Sequence, residues 1–247
     1  MFIYVVTCRA TSRTGKEKIT MHKGQIVYAV ITGDIVRSAR LRDDVLANLA
    51  PRIGQISKSL EKKYPGVFDF GFTAFRGDSF QALLKQPEKA PEIALRFLIA
   101  IKRAFARQKV DARLAIGIGS VSILPETAAT EGHGEAYALA GRRLDKLAPV
   151  DRLAIAFPKG KGGDDTDVIC AFLGSISKYW TSRQLDVVDL AMDGLKQEEI
   201  AQRLQIDQAA VARHLNKASW KAVHKAILWL ESKIEDCVSD NVIGSLE

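Results

Sequence analysis

The segment VFDFGFTAFRGDSFQALLK, residues 67–85, decides the fold of this chain. Two apolar runs rich in aromatic residues flank Arg76 and Gly77, which is the pattern of a tight β-hairpin. A Gly-Asp pair is common in turns, because glycine accepts a positive φ and aspartate hydrogen-bonds its own backbone. The hairpin alone leaves open whether Asp78 only shapes the turn or also holds a ligand.

The elements around this hairpin predict an α+β fold. They are a buried strand over 25–33, an amphipathic helix over 41–63, the two hairpin strands, a helix from Pro91, a strand over 112–121, a helix over 134–148 and a strand over 152–157. Pro51 lies inside the first helix, where proline kinks or splits a helix. The order β-α-β-β-α-β is the ferredoxin-like topology, in which the third strand lies antiparallel between the first two.

This topology brings two carboxylates to one edge of the sheet. Asp34 ends the first strand and Asp78 begins the third. Two ionised carboxylates a few ångströms apart repel each other, and a shared proton or a bound cation relieves the repulsion. Carboxylates together with substrate phosphates commonly hold Mg²⁺, so one hypothesis is a metal site that bridges a nucleotide triphosphate. In the alternative, Asp34 caps the next turn, Asp78 shapes the hairpin, and no ion binds.

Several stretches resemble the class III nucleotide cyclase fold over about residues 25–158. They are VITGDI, FRGDSF, ARLAIGIG, the helix that bears GRRL, and the closing strand. Within this class the chain resembles the SatD-like family, whose members often carry DNA-binding segments. The resemblance implies that Asp34 and Asp78 bind Mg²⁺ or Mn²⁺ and that the backbone carbonyl of Ile35 adds a ligand.

The chain also departs from the cyclase pattern. The helix GEAYALAGRRL has alanine or leucine where cyclases carry asparagine four residues before an arginine, and Ala74 replaces the lysine that reads the purine. Without these groups, transition-state charge lacks a positioned donor. We therefore predict a binding domain rather than an enzyme. Arg37, Arg76 and Arg142 are its candidate phosphate contacts, and a solvated surface charge is the alternative for each.

Residues 181–218 carry the strongest functional pattern in the sequence. Thr181 or Ser182 caps a first helix, and Asp207 caps a third helix after a short turn. The spacing is that of a helix-turn-helix and resembles sigma-factor region 4 and response regulators. Gln205 stands where glycine is common in the turn, at a cost on the order of 1 kcal/mol if its φ is positive.

The third of these helices is the predicted DNA reader. The residues expected to enter the major groove are Gln208, Ala209, Arg213, His214 and Lys217. Acidic residues are concentrated in the first two helices and basic residues on the recognition side, which suits phosphate contact. The alternative is a packing module with a solvated basic face. Residues 219–234 continue as an amphipathic helix that packs on this module or pairs two copies.

Composition excludes several classes of protein. The chain has 247 residues, 47% of them hydrophobic, and a formal net charge of +7. It has neither an apolar run long enough for a membrane span nor a signal-peptide pattern, so we expect a cytoplasmic protein. Cys8, Cys170 and Cys237 are far apart, which argues against a disulfide framework and a zinc site.

We predict five segments. They are an extension over 1–24 in which Met21 is a candidate natural start, a cyclase-like domain over 25–158, a linker over 159–180, a helix-turn-helix domain over 181–235, and a tail over 236–247. The hypothesis that follows is a dimeric transcriptional regulator that binds double-stranded DNA and senses a metal-bound nucleotide or another phosphorylated ligand. The alternatives are an active nucleotidyl cyclase or nucleotidyltransferase with a helical targeting module, and a domain that serves only for assembly.

Overall fold

The computed structural model describes residues 26–243. Its strands and helices, in chain order, are β1 (Val27–Ile35), α1 (Asp43–Lys63), β2 (Phe68–Phe75), β3 (Ser79–Leu84), α2 (Ala90–Ala104), β4 (Ala112–Ser120), α3 (Glu135–Lys146), β5 (Leu153–Ala156), α4 (Asp164–Lys178), α5 (Ser182–Met192), α6 (Gln197–Leu204), α7 (Gln208–Lys217) and α8 (Trp220–Ile243). Short 3₁₀ turns lie at Ser38–Arg40, Pro87–Lys89 and Ala129–Glu131. The predicted extension over 1–24 lies outside the described residues.

The five strands form one sheet in the order β2-β3-β1-β4-β5. β3 lies between β1 and β2 and is antiparallel to both. β4 is antiparallel to β1, and β5 is parallel to β4. The predicted α+β architecture and the position of the third strand between the first two are confirmed.

The central strand β1 is buried on both faces, as its continuous apolar sequence predicts. Ala29 and Ile31 belong to the main core, which also contains the apolar faces of α1 and α2. Tyr28 and Val30 point to the opposite face and belong to a smaller core with α3. The alternation follows from the two-residue period of a strand.

Glycine in β4 lets α3 approach the sheet closely. A Cβ atom on Gly117 would lie 2.1 Å from the carbonyl oxygen of Ala136 and 2.5 Å from the backbone nitrogen of Ala140, both in α3. A side chain at this position would therefore push the helix off the sheet. Gly117 of ARLAIGIG therefore has a packing role.

Two parts of the predicted segmentation are wrong. The predicted linker over 159–180 contains α4, and Cys170 and Leu173 of this helix are buried in the main core. The acidic residues of DDTD lie in the first turn of α4, where their negative charges interact favourably with the positive end of the helix dipole. The predicted tail over 236–247 is also wrong as far as Ile243, because α8 continues to that residue. α1 runs through Pro51 as one helix and is not split.

We call residues 27–156, which contain β1–β5 and α1–α3, the sheet-bearing unit. The C-terminal helices pack on this unit. α8 lies against α2, α4 and the 3₁₀ turn Pro87–Lys89, and its Val223, Ile227 and Leu230 belong to the main core. Packing within the chain thus covers these three residues of the helix, whereas Leu228 is exposed. α5, α6 and α7 surround a small core of their own. Within residues 26–243, no helix combines the length and the hydropathy needed to cross a membrane.

Candidate functional site

Asp34 and Asp78 lie side by side at one rim of the sheet. The backbone N–H of Ile35 donates to the carbonyl oxygen of Asp78 at 3.1 Å, and Asp34 is the register partner of Ser79. The backbone adjacency predicted from topology is therefore observed.

The Arg113 guanidinium donates hydrogen bonds to both oxygens of the Asp34 carboxylate. Its Nε donates to Oδ1 at 2.8 Å and its Nη2 donates to Oδ2 at 2.9 Å, while Nη1 donates to the carbonyl oxygen of Leu147 at 3.0 Å. The two residues are direct cross-strand partners between β1 and β4. This parallel two-bond geometry is the strong form of a guanidinium–carboxylate pair. The hydrogen bonds to Asp34 raise the pKa of the Arg113 guanidinium above its ordinary value.

Hydroxyl groups hold the Asp78 carboxylate. The Ser38 hydroxyl donates to its Oδ2, and the Ser79 hydroxyl lies 3.4 Å from its Oδ1. Ser38 follows Arg37, whose φ of 59° turns the chain back towards the hairpin. The carboxylate is thus used to fasten the turn after β1 to the hairpin.

The side chains at this rim do not fit the predicted divalent ion. Both oxygens of Asp34 accept from a guanidinium, so Mg²⁺ or Mn²⁺ would have to displace Arg113 and would meet its positive charge. Among residues 26–243, no group of three or more His, Cys, Asp or Glu side chains is arranged to hold a metal ion. Arg113 neutralises the negative charge of Asp34, the first of the two predicted ligands, and Ile35 is buried beside it.

The predicted phosphate contacts are spread over three elements. Arg37 and Arg76 are exposed and have positive φ values, and Arg142 is exposed on α3. None of the three guanidinium groups makes a hydrogen bond or ion pair within the described part of the chain. Their role in phosphate binding stays a prediction.

The second candidate surface is α7. Its N-terminus is fixed by Asp207, whose Oδ1 accepts from the Ala210 N–H at 2.6 Å. Gln205 ends α6 with a φ of 53°, the left-handed conformation that the sequence suggested for this turn. Ile200 and Ala201 of α6 pack against Val211 of α7 and hold the two helices together.

The outer face of α7 is free of packing contacts. Gln208, Ala209, Arg213 and Lys217 are exposed, and His214 is half-buried. Ala209, Arg213 and Lys217 are spaced four residues apart and form one exposed surface along α7, with Gln208 in the first turn and His214 at its edge. We call this surface the α7 face. The role of these residues in DNA binding stays a prediction.

The acidic residues of α5 point away from the α7 face and bind basic residues of α1 and α2. The ion pairs are Lys63–Asp193, Arg96–Asp189, Arg96–Asp193, Arg103–Asp186 and Arg103–Asp189. The acids of the first of the three helices therefore have a structural role, because these ion pairs attach α5 to the sheet-bearing unit. The attachment orients α7 outward.

Arg96 is the centre of this contact, and the sequence analysis missed it. Its side chain is only 3% exposed and lies 3.2 Å from Asp189 Oδ1, 2.8 Å from Asp193 Oδ1 and 3.3 Å from Glu92 Oε1. The Tyr64 hydroxyl donates to the same Glu92 oxygen at 2.6 Å, and burial raises the pKa of that hydroxyl. An arginine within the apolar run IALRFLIAI was the available signal, because a buried charge needs partners.

Solved structures of nucleotide cyclases resemble part of this chain. A bacterial light-regulated adenylyl cyclase matches over 53% of this chain and 43% of its own, with 17% sequence identity and a TM-score of 0.40. The monomeric guanylyl cyclase domain of the RhoGC fusion protein from the aquatic fungus Blastocladiella emersonii matches over 53% and 81%, with 17% identity and a TM-score of 0.38. The catalytic core of a rhodopsin-guanylyl cyclase with converted specificity, in complex with ATPαS, matches over 53% and 77% with the same identity and TM-score.

The matched part of this chain thus spans less than half the length of the light-regulated adenylyl cyclase. At 17% identity, no residue role passes from these proteins to this one. No protein family profile matches the sequence, and no curated protein sequence matches it. The resemblances to the SatD-like family and to sigma-factor region 4 stay predictions.

Proposed function

We propose that this protein is a DNA-binding transcriptional regulator in which α5–α7 act as a helix-turn-helix and the α7 face enters the major groove. The single observation that supports this most is the exposure of Ala209, Arg213 and Lys217 along one side of a capped helix, with Gln208 exposed in its first turn. Side chains of these types near the start of a recognition helix read base edges or contact phosphates.

The charge around α7 supports the same proposal. Arg203, Lys221 and Lys225 are exposed on α6 and α8, the helices that adjoin α7. The acids of α5 are engaged by α1 and α2, so they do not oppose a phosphate backbone at this surface. These exposed bases attract DNA by releasing counterions, and the attraction falls steeply with salt.

The sheet-bearing unit serves, in this proposal, as the platform that orients α7. We do not assign it a metal-dependent reaction, because the guanidinium of Arg113 fills the position beside Asp34 that a metal ion would need. The nucleotide-bound regulator and the active cyclase both depend on a cation at this rim, so the geometry favours neither.

The proposal is tested by the binding of labelled random-sequence duplex DNA, followed by fluorescence anisotropy at low and at physiological salt. We expect saturable binding, in which the logarithm of the association constant falls linearly with the logarithm of the salt concentration. The non-specific Kd should be on the order of 10⁻⁴ to 10⁻⁶ M at physiological salt. Selection from the same pool would then enrich a preferred sequence. Absence of duplex binding at low salt would overturn the proposal.

A further inference from the structure

The outward side of α4 carries an apolar stripe with no cover among the described residues. Val168, Phe172 and Tyr179 are 53%, 66% and 75% exposed, which makes them three of the most exposed large apolar side chains of residues 26–239. Ala171 and Ser175 lie between them and are also exposed. Residues three, four and seven apart share one side of a helix, so the five form a continuous line along α4 and its C-cap.

The opposite side of α4 is fully used by the core. Cys170 and Leu173 are buried against the sheet-bearing unit, and Lys102 of α2 donates to the carbonyl oxygens of Ser177 and Lys178 at 3.0 and 2.7 Å. α4 is therefore fixed in place while it presents a second apolar side to solvent. Single exposed apolar residues are ordinary on protein surfaces, whereas a contiguous line of large ones marks an interaction site.

The charges of α4 show what fits this line. The first turn is acidic, with Asp164, Asp165 and Asp167, and the last turn is basic, with Lys178. Asp167 pairs with Arg143, whereas Asp165 lies 3.8 Å from Lys233 of α8 with about half of its side chain exposed. The midpoint between Asp165 and Lys178 falls between Ala171 and Phe172, at the centre of the apolar line. A sequence with opposite charges at equal distances from its centre is complementary to itself when a second copy runs in the opposite direction.

We propose that α4 is a homodimer contact in which the α4 helices of two copies pack antiparallel about a two-fold axis between Ala171 and Phe172. This arrangement sets Phe172 of one copy against Ala171 of the other, so that a large side chain meets a small one. It also sets Val168 against Ser175 and Asp165 against Lys178. The inference does not depend on DNA binding, and its consequence is that two α7 faces belong to one particle.

The size of the contact predicts its strength. A standard protein interface buries about 1,600 Å² in total, and a single pair of short helices buries less than this. We therefore expect a reversible dimer whose fraction rises with protein concentration. Sedimentation velocity of the full chain across a wide concentration range measures this, with Phe172→Ser as the test variant.

Phe172→Ser removes a side chain that is mostly in solvent, so it leaves the fold intact and shifts the species to monomer. Leu124→Ser is the matched control, because Leu124 is 50% exposed in a loop outside α4. It should sediment as the parent protein does. A chain that stays monomeric at every concentration, or a dimer that Phe172→Ser leaves unchanged, overturns the proposal.

Disulfide crosslinking tests the antiparallel arrangement and does not depend on the stability of a variant. Ala171→Cys, in a Cys8→Ser background, places a thiol next to the two-fold axis, whereas the native Cys170 and Cys237 are buried. Ser175→Cys is the control on the same line, because antiparallel packing separates the two copies of residue 175 by about 10 Å along the helix axis, from a rise of 1.5 Å per residue. A disulfide needs Cα atoms within about 7 Å.

Under mild oxidation we expect a covalent dimer from Ala171→Cys and at most a trace from Ser175→Cys. Equal crosslinking of both variants would indicate parallel packing and contradict the arrangement. Crosslinking of neither would contradict the contact itself. DNA binding can be intact in each of these cases, so failure here is distinguishable from failure of the proposed function.

Discussion

Arg96 of α2 and Asp189 of α5 form an ion pair, with Nη1 3.2 Å from Oδ1, that joins the sheet-bearing unit to the helices that carry α7. The guanidinium is almost completely removed from water. A charge in this position costs desolvation energy and is stable only because carboxylates surround it. The position of the α7 face therefore depends on this polar contact together with Leu185 and Val188 of α5, which are buried in the main core.

Replacement of Arg96 by methionine should destabilise the protein. The change leaves Asp189, Asp193 and Glu92 close together without their shared cation, and loss of one partner from a buried ion pair costs about 3 kcal/mol. Urea unfolding measures the loss. Arg42→Met is the control, since its ion pair with Asp44 is exposed and should contribute less than about 1 kcal/mol. Equal stabilities of the two variants would show that the Arg96 cluster does not hold α5 in place.

Glu231→Gln should change stability in a pH-dependent way. Burial raises the pKa of the Glu231 carboxyl above its ordinary value, although Lys89 at 3.2 Å opposes the shift and Glu92 and Glu235 add to it. A group with a raised pKa contributes stability that is fully present below the unfolded pKa of about 4.3 and is lost as the pH rises through the folded pKa. Glutamine does not titrate, so the stability of the variant relative to the parent should increase from acidic to neutral pH.

Thermal unfolding from acidic to neutral pH measures this difference. Ser232→Ala on the exposed side of α8 is the control, because it removes no titratable group and should give a difference that is independent of pH. If Glu231→Gln instead loses stability relative to the parent as the pH rises, the attraction to Lys89 outweighs the cost of burial and our sign is wrong.

Gln205→Gly should stabilise the turn between α6 and α7. The φ of 53° at Gln205 costs energy for a residue with a Cβ atom but not for glycine. We therefore expect the free energy of unfolding to increase by up to about 1 kcal/mol, partly offset by the greater freedom of glycine in the unfolded chain. Gln202→Gly inside α6 is the control and should lose about 1 kcal/mol. Chemical denaturation measures the free energy of unfolding of both variants. Equal losses of stability in the two would contradict the geometry of the turn.

Asp34→Asn should act on stability and leave any response to metal unchanged. The substitution breaks the two-bond contact with Arg113 and should cost about 1.5–3 kcal/mol, the range for hydrogen bonds to charged groups. Thermal unfolding with and without Mn²⁺ separates this from a metal-binding role. A rise in the melting temperature of the parent with Mn²⁺ that Asp34→Asn abolishes would restore the metal-site hypothesis.

Local patterns predicted much of the fold. The buried run of β1 and the short gap at Arg76 and Gly77 were sufficient for the order of the first strands, because burial period and turn chemistry are encoded in neighbouring residues. The adjacency of Asp34 and Asp78 followed from that order alone. The cap at Asp207 and the left-handed residue at Gln205 were likewise local features.

Long-range contacts were harder to predict. Asp34 and Arg113 are 79 positions apart, and their pairing depends on the register between β1 and β4, which a hydrophobic pattern does not specify to one residue. The glycines and aspartates of residues 159–167 suggested a linker, because both residue types are common in loops. Aspartate is also favourable in the first turn of a helix, and α4 begins at Asp164. The contact of Arg96 with α5 depends on how two units pack, which neither segment reveals alone.

The most direct test of DNA reading by the α7 face is a comparison of Ala209→Glu with Ala47→Glu. Both alanines are exposed on helices, so the two variants carry the same change in charge without loss of packing. Glutamate in the first turn of α7 also favours its helix dipole, which preserves the fold. By anisotropy at low salt, Ala47→Glu should bind duplex DNA as the parent does, and Ala209→Glu should bind at least about tenfold more weakly, which corresponds to 1.4 kcal/mol. Equal affinities of Ala209→Glu and Ala47→Glu would contradict the proposal that α7 reads DNA.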